Sequence, residues 1–295
     1  MNNEEYSTDF DSIHKYDTTN TIFKSGTVDG DVRGTMLFDA YGISTMANST
    51  AHNCDNVFMN GMYMKSFSFS HYEKYVNTDS DSGLFILCTG DEKSSGFPKE
   101  FLSKVANKMP EIKSHTEKRA LGIIAGIAAE LNTVYQGKPE ETSNIAIIFI
   151  RGLKAYISVF GNIRVIGIKK GIPYIIEQGN NNKIGTPEFN AFNISGAKPK
   201  KINQETKYIM KNQGVAKYIS DEQMCEKVEA NGMRDGIASM IERATSFNFD
   251  DTLTAIGIRV QPTRIALARK KKQMILVGTI AAALAAFAVI LGILL

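Results

Sequence analysis

NIAIIFIRGLKAYISVFGNIRVIGIKKGIPYII, running from Asn144 to Ile176, holds four short apolar runs separated by three polar turns. The runs are Ile145–Ile150, Ala155–Phe160, Arg164–Ile168 and Pro173–Ile176. The separators are Arg151-Gly152-Leu153-Lys154, Gly161-Asn162-Ile163 and Lys169-Lys170-Gly171. Runs this short, rich in Ile, Val, Phe and Tyr and broken at Gly or Asn, predict antiparallel strands joined by tight turns, most simply a meander. Ile145–Ile150 is apolar at every position, so both faces of that strand should be covered, as in the middle of a layered domain.

Upstream of this stretch the period changes. Phe101-Leu102-x-x-Val105 and Ala120-Leu121-x-Ile123-Ile124-x-x-Ile127-Ala128-x-x-Leu131 form an apolar stripe at helical spacing, with Pro110 expected to separate two helices. Further upstream, Leu37–Thr45 and Asn56–Met64 read as strands around the polar turn 48–55, and Gly83–Gly90 reads as another. Downstream, Tyr208 to Val215 begins as a strand. Ser220 then suits a helix N-cap, with Asp221 and Glu222 in the first turn and Gln223 at the capping-box position. Gly232–Thr245 is a second helix, and Phe249–Ile258 ends in a last strand.

Composition narrows the classes. The chain has 295 residues, is 43% hydrophobic and carries a formal charge of +3, enough apolar material for a sizeable core. The 34 basic and 31 acidic residues are too evenly matched to argue for nucleic acid. Cys54, Cys88 and Cys225 are far apart and in no Cys-x-x-Cys spacing, which speaks against a disulfide framework or thiolate zinc site. His14, His52, His71 and His115 include no pair at metal-ligand spacing.

The succession of apolar strand, basic turn, strand, Gly161-Asn162-Ile163-Arg164 and strand resembles the PPM/PP2C family of metal-dependent Ser/Thr phosphatases. That family has Gly-Asp-Ser-Arg at the turn, and the resemblance extends from roughly Phe38 to Val260. It implies an α+β fold, a four-layer α-β-β-α sandwich of two antiparallel sheets with helices outside. It also implies where a binuclear metal site should lie. Matched through Asn53-x-Asp55-Asn56, the phosphate-contacting Arg of the family becomes Thr50, a metal-binding Glu becomes Cys54, and the Asp supporting its water is Asp55. The Asp that bridges both metals becomes Thr89, and the ligand of the Ser-Asp-Gly-Leu motif becomes Gln213. The ligand of the Asp-Asn-x-Thr motif is kept as Asp251.

Hard cations such as Mn²⁺ and Mg²⁺ want carboxylate oxygen, and a thiol, a hydroxyl and an amide carry no compensating charge. The pattern therefore predicts a PP2C-like pseudophosphatase that binds protein, with no cofactor and with Asp55 and Asp251 as residual ligand positions. The alternative is an active metal-dependent phosphatase using Mn or Mg at an altered site of Asp55, Asp91, Glu92, Asp250 and Asp251. A third reading, a nucleotide or small-ligand sensor, lacks a phosphate-cradling Gly-rich loop followed by Lys-Ser/Thr. A soft-metal site of Cys54 with His52 is weaker than a plain turn cysteine.

The ends add a membrane element. Residues 1–30 are acidic and lack aliphatic clusters, which suggests a mobile arm with no secretory leader, followed by a domain over 31–261. Residues 262–273 form a basic linker ending in Arg269-Lys270-Lys271-Lys272. Met274–Leu295 has no charge and no proline over 22 residues, about 33 Å as a helix, enough to span a bilayer. The basic flank predicts a single-pass, C-terminally anchored chain whose folded domain is cytoplasmic. Expected partners are a phosphoprotein, a kinase or a membrane complex. Gly278, Ala282 and Ala286, at four-residue steps, offer a route to a homodimer.

Overall fold

The computed structural model describes residues 35–47, 53–65, 70–90, 96–138, 141–178, 182–247 and 249–263, together with 268 and 279. In chain order the strands are β1 (Met36–Thr45), β2 (Asn56–Met59), β3 (Met62–Tyr63), β4 (His71–Ser80) and β5 (Ser82–Gly90). Helices α1 (Gly96–Ser114) and α2 (Glu117–Tyr135) follow, then β6 (Ser143–Arg151), β7 (Lys154–Phe160), β8 (Arg164–Lys169) and β9 (Ile172–Gln178). The remainder is α3 (Phe192–Ser195), β10 (Lys200–Lys201), β11 (Thr206–Lys211), α4 (Gln213–Tyr218), α5 (Asp221–Thr245) and β12 (Leu253–Pro262).

The strands form two antiparallel sheets, β4-β1-β12-β11-β8-β9 and β10-β7-β6-β5-β2-β3. Phe38, Ile148, Ile150, Met210 and Ile258 are buried between them. On the outer face of the second sheet, Phe97, Phe101, Ile124 and Leu131 of α1 and α2 cover Ile86 and Ile147. On the outer face of the first, Met224, Val228, Ile237 and Ile241 of α5 cover Ile43, Ile209 and Ala255. This is the expected four-layer sandwich. Within β6, Ile145 to Ile150 are all buried, because one face meets the other sheet and the alternate face meets the helices.

The four runs of the opening stretch are all strands, but they do not form one meander. β6 and β7 pair in the second sheet, whereas β8 and β9 pair in the first. Gly161-Asn162-Ile163 carries the chain from one sheet to the other. Gly161 has φ +74°, and a Cβ there would lie 2.0 Å from Asn144 Oδ1, so the crossing point needs glycine twice over. The helix break is also displaced: α1 runs through Pro110 to Ser114. Pro110 is solvent-exposed, and the buried Met109 and Ile112 offset its lost backbone hydrogen bond. Ser220 and Gln223 form the expected capping box, and Gly232, at φ +83°, divides α5 into the two expected segments.

β4 had no apolar signal. Among the described residues it is an edge strand paired only with β1, and Val76 is its only buried hydrophobic residue. The register pairs Met36 with Pro262, so β12 reaches one residue past the domain boundary expected from sequence. The strand directions give the sandwich two ends. Thr45, Asn56, Gly90, Phe160, Arg164, Lys211 and Leu253 lie at one, and Met36, Arg151, Lys154, Lys169, Ile172, Lys201 and Pro262 at the other. The arm 1–30 and the span 274–295, Thr279 apart, lie outside the described residues. Among the described residues no helix is long and apolar enough to cross a membrane.

Candidate functional site

Four strand ends converge on Asp55 at the first of these ends. Asp55, immediately before β2, is buried, and its Oδ2 accepts hydrogen bonds from Thr254 Oγ1 at 2.7 Å and Asn212 Nδ2 at 2.8 Å. Ser44 Oγ lies 2.9 Å from Thr254 Oγ1, and Asn53 Nδ2 donates to Ser44 Oγ at 3.0 Å. Asn53 Oδ1 in turn accepts from the Asp55 amide at 3.1 Å. Asn212 does two jobs. Its Nδ2 also donates to the Thr252 carbonyl at 2.6 Å, while its Oδ1 accepts from Val215 N at 2.9 Å as the N-cap of α4.

Burial pushes the Asp55 carboxyl up to about 8, and the charge of nearby Asp251 pushes the same way. Hydrogen bonds from Thr254, Asn212 and the Gly90 backbone oppose the shift without cancelling it. The protonated form of the Asp55 carboxyl is therefore favoured far more than that of an exposed carboxyl, which lessens the negative charge it brings to the site. Burial, and then the Asp55 charge, also raise the Cys88 thiol well above its ordinary value.

Beside this cluster runs a chain of neutral groups. Asn144 Nδ2 donates to Thr89 Oγ1 at 2.7 Å, and Asn144 Oδ1 accepts from the Asn162 amide at 2.9 Å. Asn162 Nδ2 then donates to Gln213 Oε1 at 3.2 Å. Thr89 and Gln213, two of the three positions where the PP2C resemblance leads one to expect a carboxylate and the sequence has none, are thereby linked through two asparagines across the gap between the sheets. Asp251 is exposed at the rim, its Oδ1 accepting from Thr252 N at 2.7 Å. Asp250 is engaged by Lys217 at 2.9 Å and by the Tyr218 hydroxyl at 3.3 Å. Cys54 is buried and forms no disulfide among the described residues. Thr50, His52, Asp91 and Glu92 lie outside the described residues.

Charge does persist one residue away, on the helix side of β11. Lys211, 1% exposed, places Nζ 2.7 Å from Asp221 Oδ1 and donates to the Ile219 carbonyl at 2.8 Å. Arg164, from the Gly-Asn-Ile-Arg turn, binds the other oxygen of Asp221 at 3.0 Å.

The fold class implies Mn²⁺ or Mg²⁺, and the donor set among the described residues does not fit a binuclear centre. Such cations need several oxygens, carboxylates among them. Among the described residues no three His, Cys, Asp or Glu side chains are grouped to hold a metal. Oδ2 of Asp55 already faces two donors, and the oxygens of Thr89 and Gln213 accept from amides. Sequence reasoning missed Asn144, Asn162, Asn212, Thr254 and Ser44. Asn212 alone carried a local signal, an Asn before a short helix. The others meet only through the sheets.

No protein-family profile matches the sequence, and no curated protein is significantly similar to it. Solved structures are similar in fold. PppA, a key regulatory component of T6SS in Pseudomonas aeruginosa, aligns with a TM-score of 0.58 at 13% identity, covering 76% of this chain and 99% of its own. The catalytic domain of the serine threonine protein phosphatase PstP, in complex with 2 manganese ions, gives 0.55 at 11% identity, covering 77% of this chain and 100% of its own. The PPM Ser-Thr phosphatase MsPP from Mycobacterium smegmatis, in complex with cacodylate, gives 0.53 at 9% identity, covering 74% of this chain and 97% of its own. The chain has a PP2C-like fold.

Proposed function

We propose that this chain is a pseudophosphatase: a PP2C-fold domain that binds a phosphoprotein, a kinase or a membrane complex without hydrolysing phosphate. In this reading residues 274–295 hold it at the cytoplasmic face of a membrane. The observation that carries the proposal is the neutral chain Thr89–Asn144–Asn162–Gln213 lying beside the buried, hydrogen-bonded Asp55. Hydrolysis by a metal-bound hydroxide needs cations held by anionic ligands, and these groups hydrogen-bond to one another instead. The side chains of this neutral chain are engaged with one another, which suits a domain whose surface, rather than its cleft chemistry, is used. The apolar tail and its basic flank support the membrane part.

Calorimetric titration of the full chain with Mn²⁺ and Mg²⁺, run beside a phosphopeptide turnover assay, tests this. The expected result is no saturable metal binding and no turnover. Metal-dependent turnover that disappears in Asp251→Ala would overturn it in favour of an active phosphatase with an altered metal site.

A further inference from the structure

At the end of the sandwich remote from Asp55, exposed charge is segregated. Lys169 and Lys170 lie at the tip of the β8–β9 hairpin, and Lys200 and Lys201 form β10, the edge strand of the other sheet. All four are exposed, and among the described residues none of them makes an ion pair with a carboxylate. Ile172, 68% exposed, sits among them at the start of edge strand β9. The acidic groups at this end are occupied or remote. Glu117 pairs with Lys154, and Glu205 pairs with Arg259. Asp79 and Asp81 lie at the corner from β4 to β5, on the opposite edge of the first sheet from the lysines, with Asp81 Oδ1 taken up by the Thr35 amide at 3.0 Å.

The chain leaves the fold at this same end. Pro262 pairs with Met36, and the Thr263 amide donates to the Thr35 carbonyl at 3.0 Å. Arg264, Arg269, Lys270, Lys271 and Lys272 follow in sequence, and then the apolar run 274–295. A surface of unpaired lysines around an exposed isoleucine, at the exit toward a basic flank, complements one kind of surface in particular. Anionic headgroups attract each lysine, and the interface takes up an apolar side chain.

We propose that Lys169, Lys170, Lys200, Lys201 and Ile172 form a docking face for the anionic surface of the membrane in which 274–295 is anchored. The Asp55 end then points away from the lipid, toward protein partners. The inference deepens the membrane part of the proposed function and rests on it for the supply of a bilayer.

The test places the full chain in nanodiscs of phosphatidylcholine alone or phosphatidylcholine with phosphatidylserine, and follows lysine acetylation by mass spectrometry. Lys217, at the Asp55 end, is the internal reference. Anionic discs should slow labelling of the four lysines by about fivefold relative to Lys217, the gain for one lysine at an anionic surface. High salt should erase the difference, and so should Lys200→Glu with Lys201→Glu when read at Lys169 and Lys170. Equal labelling on the two discs, or slowing that arises only on adding soluble polyglutamate, overturns the docking face. If the chain fails to enter phosphatidylcholine discs, the anchor reading fails by itself. Salt-sensitive flotation on phosphatidylserine vesicles, with the same protection, would then still support the face, and its absence would overturn it.

Discussion

Lys211 and Asn212 are consecutive residues at the end of β11, yet they serve polar clusters of opposite character. Lys211 points to the helix layer, where its ammonium meets Asp221, itself held by Arg164. Asn212 points between the sheets, where it meets Asp55 and where, among the described residues, no cationic side chain faces the carboxyl. The first cluster keeps its charges because each buried ion has a counterion built into the fold. The second is mostly neutral: Thr89, Asn144, Asn162 and Gln213 hydrogen-bond to one another, and burial pushes the Asp55 carboxyl toward its protonated form. Burial lowers the Lys211 ammonium too, but Asp221 opposes that shift, whereas Asp55 has only neutral donors to oppose its own. A buried ion survives at this end of the sandwich only where protein supplies the opposite charge.

The largest effect that would break this contrast is a pH dependence. Asp55 titrates near 3.9 when unfolded and at about 8 when folded, so its contribution to stability is complete at low pH and is lost as pH rises between those values. The limiting slope is about 1.4 kcal/mol per pH unit. Asp55→Asn cannot titrate. Urea midpoints taken at successive pH values should show the variant gaining on the parent from about pH 4 to about pH 8, then running parallel. A constant difference would mean that Asp55 is ionised in the fold.

Next in size, Asp221→Ala leaves Lys211 buried without a counterion and should cost about 3–5 kcal/mol in urea unfolding. A loss no greater than that of an exposed ion pair, below about 1 kcal/mol, would erase the distinction between the clusters. Gly161→Ala puts a Cβ into Asn144 at a positive φ and should cost about 2 kcal/mol. Its amide exchange should rise at Asn162, whose N–H loses Asn144 Oδ1. Smallest is Thr89→Val, which deprives Asn144 Nδ2 of its acceptor and should cost about 1 kcal/mol, with Mn²⁺ leaving the melting temperature of parent and variant alike unchanged.

Much of the fold was legible because its signals are local. The uninterrupted apolar run Ile145–Ile150, the helical stripe from Phe101 to Leu131 and the Ser220–Gln223 capping box each declare an element within a few residues. β4 was not legible, since His71–Ser80 covers an edge and needs almost no apolar side chains. The break between α1 and α2 was misplaced because Pro110 falls on the solvent side, where one lost hydrogen bond is outweighed by the burial of Met109 and Ile112.

The candidate site divides in the same way. The amino-acid order determined which residue types stand at the positions the PP2C resemblance marks as ligands, Cys54, Thr89 and Gln213, because residue identity is a local fact. What those positions do instead was decided by the packing of two sheets. Asn144 and Asn162 become neighbours only because Gly161 turns the chain from one sheet to the other, and Asp55 meets Asn212 across 157 residues of sequence. Hydrogen bonds between such distant groups, and the burial that keeps a proton on Asp55, depend on distance in space, which no window of sequence contains.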